Sequence, residues 1–193
     1  MIEDEDDVDP VLPPEDWAAQ LLHFWFEEHQ ESDWFGGGPE FDEAVAARFA
    51  DWRDVLREQI VDAFLASPQT ALAAILLFDQ VPRNAYRGSA EMFATDHIAL
   101  EIARRAVEMD LDAGLSKDQK LFLYLPFEHS EDEGDQRESV RLISSLNDQR
   151  LLQFALDHQA MIQKFGRFPH RNQVLGRRDR AGEAEAVAAG HKW

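Results

Sequence analysis

Three polar clusters in this chain combine residue types that do chemistry together. The first is Asp79, Gln80, Arg83, Asn84 and Arg87. The second is Glu128, His129, Ser130, Glu131 and Asp132. The third is Arg167, His170, Arg171 and Asn172. Guanidinium forks hold a carboxylate or phosphate through paired hydrogen bonds. On that reading Arg83, Arg87, Arg167, His170 and Arg171 form a pocket for a small anionic ligand. Asn84 and Asn172 orient the ligand, and Asp79 lies alongside. A second reading is a small metal-independent enzyme. His129 or His170 then acts as acid or base, and Glu131 or Asp132 holds its tautomer. A third reading gives the clusters a structural role, with arginines capping helix carbonyls, and leaves a concave face to bind a peptide as an adaptor. Residue types and spacing leave these three open, and with them whether the protein is an enzyme.

Other chemistries find less support. Residues 129–133, HSEDE, bring nitrogen and oxygen ligand types close together. There is no HExxH, no calcium-loop pattern and no cysteine pair, so no metal is expected, and no cofactor. Gly36, Gly37 and Gly38 have no strand before them and read as a turn, not a phosphate cradle. His158 falls on the apolar stripe of Leu151, Phe154, Ala155, Ile162 and Phe165 and reads as a hydrogen-bonded core histidine. His97 reads as surface. Trp25, Trp34, Phe35 and Trp52 read as core, because no basic groove accompanies them.

The elements that must position these clusters are helices. Apolar residues recur at three and four through residues 41–66, the period of a helix face. ALAAILLF (71–78) and LFLYLPF (121–127) are apolar on every side and poor in β-branched residues, which points to buried helices. Ser116 suits an N-cap for the second. Further helices are expected over residues 16–29, 90–109, 132–146, 151–165 and 184–189. Gly166 follows as a C-cap glycine. Pro82 and Pro169 are expected to stop the helices before them. Each polar cluster therefore follows the end of an apolar helix. Helices joined by short turns predict an all-α stack of antiparallel hairpins.

The chain has 193 residues, a net charge of −19 and no cysteine. That length suits one domain, expected over residues 15–193 after an acidic, disordered arm at residues 1–14. So acidic a surface repels nucleic acid and anionic lipid, and neither is expected as a partner. No membrane-length apolar run or secretory leader is present, so a cytoplasmic location is expected. Against this background, Lys164, Arg167, Arg171, Arg177, Arg178 and Arg180 gather within one short segment that holds a single acid, Asp179.

The longest motifs are ILLFDQVPRNAYRG, LFLYLPFEHSEDEGDQ and FGRFPHRNQVLGR, together with FWF at Phe24 to Phe26 and WFGGG at Trp34 to Gly38. In this order they resemble the bacterial family called domain of unknown function 924, from about Trp17 to Arg178. The resemblance implies an all-helical, tetratricopeptide-like superhelix and no assigned activity. Val81 stands where similar members carry phenylalanine. RDRAGEAEAV after Arg177 departs from their Ser-Thr and proline.

Overall fold

The computed structural model describes residues 11–190, and among these every regular element is helical. The first ten residues of the expected acidic arm lie outside the described residues. The helices are α1 (Trp17–His23), α2 (Glu31–Gly36), α3 (Pro39–Leu56), α4 (Pro68–Ile75), α5 (Val81–Ala85), α6 (Asp96–Glu108), α7 (Lys117–His129), α8 (Glu133–Ser144), α9 (Gln149–Phe165) and α10 (Glu183–Ala188). Among the described residues no helix is long and apolar enough to cross a membrane.

The all-round apolar segments lie at the centre. Every residue from Ala71 to Phe78 is fully buried, and α7 is buried from Leu121 to Glu128. Ser116 begins α7 with a reciprocal cap: its hydroxyl accepts from Gln119 N, and Gln119 Oε1 accepts from Ser116 N. Consecutive helices α7, α8 and α9 pack on one another in chain order. Trp25, Phe26 and Trp34 close on Phe122 with ring centroids 5.1–5.7 Å apart, largely edge to face.

Pro82 does not stop its helix. The chain passes from α4 through a π-helical turn, Leu76–Gln80, directly into α5. Val81 N–H reaches back five residues to the Leu76 carbonyl. Proline has no N–H to offer the carbonyl four residues before it. That carbonyl, on Phe78, instead accepts from the Thr95 hydroxyl at 2.7 Å. A donor from another segment thus carries the helix through the proline, and the widened turn sets Asp79 and Gln80 into the interior.

Three other boundaries differ from expectation. The turn expected at Gly36 to Gly38 is preceded by a short unforeseen helix, α2, where Asp33 Oδ2 accepts from Gln30 N. The break comes at Gly37, where an added Cβ would lie 2.3 Å from the Asp33 carbonyl, so only glycine fits. The 41–66 helix ends at Leu56. Ile60 is 72% exposed, and the 3-10 turn Val61–Phe64 brings Phe64 to Phe78, ring centroids 5.3 Å apart. The 90–109 helix is divided into a 3-10 turn, Ala90–Phe93, and α6, with Thr95 turned inward between them.

Candidate functional site

The π turn, α5, the end of α7, the start of α9 and the 3-10 turn Pro169–Arg171 enclose a cavity of about 440 Å³. From the sequence-predicted clusters, Gln80, Arg83, Asn84, Arg87, Glu128, His129, His170 and Arg171 line it. Leu121, Leu125, Leu151, Phe154, Trp34 and Phe35 supply an apolar wall. A cavity of this size, mostly apolar with a few convergent polar groups, suits a small organic molecule.

Asp79 organises the polar side. It is fully buried, and its Oδ1 lies 2.7 Å from His129 Nδ1 and 3.1 Å from Arg83 Nη1. Its Oδ2 accepts from Gln80 Nε2 at 2.6 Å. Burial pushes the Asp79 carboxyl up, but Arg83, His129 and these hydrogen bonds outweigh it and hold it below the usual carboxylate range. An ionised Asp79 accepts a hydrogen bond, so Nδ1 of His129 carries the proton and Nε2 carries the lone pair. Burial and the Arg83 guanidinium keep His129 below its ordinary value, despite the pull of Asp79. His129 is therefore a neutral imidazole at pH 7 in a fixed tautomer. The carboxylate that fixes it is Asp79, not Glu131 or Asp132.

Those two acids have other partners. Glu131 accepts both forks of Arg177, at 2.8 and 3.0 Å, and also the Phe168 N–H. Asp132 caps α8 by accepting from Gly134 N and Asp135 N.

The arginines are similarly engaged. Arg83 donates to both oxygens of Asp96, at 2.8 and 3.0 Å, and to the Asp79 carbonyl. Arg87 forks onto Asp42. Arg171, unlike Arg83 and Arg87, has no carboxylate at hydrogen-bond distance. Its guanidinium lies between the rings of Phe93 and Phe168, 4.7 and 4.5 Å from their centroids, and donates to the His129 carbonyl. Asp96 Oδ2 is 3.7 Å away, and burial pulls Arg171 down to about 10. Arg167 and Asn172 do not reach the cavity. Both bind Glu183, Arg167 by a fork at 2.8 and 2.6 Å, and so fasten α10 to the turn after α9. The basic segment divides between two tasks: Arg167, Asn172 and Arg177 tie elements together, while His170 and Arg171 face the cavity.

Three further ionisable groups of the wall, Glu128, His158 and His170, are neutral at pH 7, while Arg150 is paired with Glu31. Burial pushes Glu128 up to about 8, and the Asp79 carboxylate adds to the effect. Burial drives His158 down to about 3, and burial with Arg171 drives His170 down to about 4. His158 Nδ1 donates to the Phe154 carbonyl at 2.8 Å and lies 3.3 Å from Glu128 Oε1. With both side chains neutral, that contact is not an ion pair. Among the described residues no three His, Asp or Glu side chains converge as a metal site.

Sequence reasoning did not single out Phe93, Arg150, Leu121, Leu125 or Leu151 as cavity wall. The spacing Leu121, Leu125, Glu128 puts one face of α7 towards the cavity and was the available signal.

The family model described as "Bacterial protein of unknown function (DUF924)" matches residues 21–191. The solved structure of a protein of unknown function from Agrobacterium tumefaciens is similar, at 35% identity and a TM-score of 0.84. The match covers 90% of this chain and 97% of that one. No curated protein matches the chain.

Proposed function

We propose that this chain, which belongs to the DUF924 family, is an enzyme that uses His129 as a general base on a small organic substrate. The observation that carries this is the Asp79–His129 contact on the wall of the cavity. A buried carboxylate at Nδ1 orients the ring, selects its tautomer and stabilises the imidazolium formed when Nε2 accepts a proton. Depression of the His129 basicity keeps the base ready at neutral pH. The apolar wall receives the carbon skeleton of the substrate, and the arginine side receives its polar end.

Simple capture of an anion is the second reading. Arg171 favours it, being stacked between two rings with spare donors. Arg83 and Arg87 count against it, since carboxylates already occupy their forks. Packing of α7, α8 and α9 in chain order supports a tetratricopeptide-like stack as the scaffold, and the acidic composition speaks against nucleic-acid partners.

Incubating the protein with a bacterial metabolite extract and following every component by mass spectrometry tests the enzyme reading. Wild type should deplete at least one metabolite, and folded His129→Ala should slow that depletion by about 100-fold or more. Indistinguishable profiles for the two proteins would reject it.

A further inference from the structure

Resting on the reading of His129 as base, we propose that Glu128, its neighbour on α7, is the proton donor of the same site. The substrate is then one that gives up a proton at one atom and takes up a proton at another.

Glu128 is 6% exposed and lines the cavity beside Leu121 and Leu125. Four other carboxylates in and behind the wall are each held by an arginine: Asp79 and Asp96 by Arg83, Asp42 by Arg87, Glu131 by Arg177. Glu128 has no such partner among the described residues. Its close polar contact is His158 Nδ1, whose proton is directed to the Phe154 carbonyl. A buried carboxyl without a cation is stable only as the acid. Burial and Asp79 accordingly push it up to about 8.

His158 and Asp79 act on it directly from other elements, and Arg83, Arg87, Arg150, His170 and Arg171 line the same cavity. The two histidines are neutral at pH 7, and each guanidinium faces a carboxylate: Arg83 and Arg171 share Asp79 and Asp96, Arg87 holds Asp42 and Arg150 holds Glu31. Glu128 therefore holds a proton at the pH where His129 has none to give. Two successive residues of one helix face one cavity as a loaded acid and an empty base.

The step balances between these two groups and the substrate. The lone pair of His129 Nε2 takes a substrate proton, and the electron pair of that bond shifts within the substrate. The Glu128 O–H bond breaks, and its proton goes to the oxygen that receives the displaced electron pair. His129 ends as imidazolium and Glu128 as carboxylate. No oxidant or co-reactant is needed, so the chemistry is that of tautomerisation or elimination on a carbonyl or hydroxyl compound.

Carbon-13 NMR of the glutamate carboxyls, assigned by difference with Glu128→Gln, reads the proton directly in the wild-type protein. Glu128 should titrate near 8, and ionisation at or below pH 5 would overturn the proposal. Glu128→Gln should then lower the His129-dependent depletion by about 100-fold or more, with KM moved little and the loss of rate above pH 8 abolished. Unchanged turnover in Glu128→Gln would also overturn it, whatever the titration shows. The two failures look different. If His129→Ala equals wild type, the functional reading is lost and the acid assignment with it. If His129→Ala is inactive and Glu128→Gln is not, only the acid assignment is lost.

Discussion

Asp79 and His129 stand fifty positions apart in the chain and meet at 2.7 Å. The π turn before Pro82 brings one inward, and the last turn of α7 brings the other. What the site can do follows from this contact.

The contact has a stability consequence. Asp79→Ala removes a buried carboxylate and leaves Arg83 with Asp96 alone and His129 without an orienting partner. Breaking a buried charge network in this way costs about 3–5 kcal/mol. Urea denaturation at pH 7 measures it, and a loss near zero would mean the network contributes nothing. The folded-state value of Asp79 is depressed, so its contribution is present above the ordinary Asp value and is lost as pH falls through the folded one.

Glu128 predicts the opposite pH dependence. Its folded value is raised to about 8, so its neutral form favours the fold fully below the ordinary glutamate value. That contribution declines by about 1.4 kcal/mol per pH unit between the unfolded and folded values. Glu128→Gln, which has no proton to lose, should therefore be more stable than wild type at pH 8 and show no such decline. Equal stability of the two proteins from pH 5 to pH 8 would contradict the burial of an unpaired acid.

His158 contributes on the acid side, together with His129, His170 and Asp79. It is neutral in the fold, with its value driven down to about 3, and takes a proton readily when unfolded. Its contribution is whole above about pH 6.5 and falls by about 1.4 kcal/mol for each unit below that. Proton NMR should show no titration of the His158 ring between pH 5 and pH 8. A midpoint near 6.5 would refute the environment described for it.

Thr95 should matter despite its distance from the clusters in sequence. Thr95→Val keeps the shape but leaves the Phe78 carbonyl without its donor, at a cost of about 1–3 kcal/mol. Pro82→Ala restores an N–H that can serve that carbonyl, so the penalty should shrink in the double variant. A penalty independent of residue 82 would show that the hydroxyl does not replace the missing backbone bond.

Much of the scaffold was legible because its signals are local. Ser116 and Gln119 form a cap within three residues, Gly166 ends α9 in the left-handed conformation, and the apolar runs admit little besides burial. Pro82 misled because the rule that proline stops a helix is also local, while the rescuing hydroxyl comes from Thr95. The clusters stood out as polar groups after apolar helices, and eight of their residues do line one cavity. Which member does what was not legible. Arg167, His170, Arg171 and Asn172 lie within six positions, yet a 3-10 turn sends the middle pair to the cavity and the outer pair to Glu183. Glu131 and Asp132 lie only two and three positions after His129 in the chain, but the carboxylate at its ring comes from the π extension of α4.

The most direct test of the account is the protonation of His129 itself, read by NMR of the protein labelled with nitrogen-15 in histidine. The account predicts a neutral ring at pH 7 with the proton on Nδ1 and the lone pair on Nε2, and loss of that fixed tautomer in Asp79→Asn. An imidazolium at pH 7, or a proton on Nε2 in the wild-type protein, would contradict it.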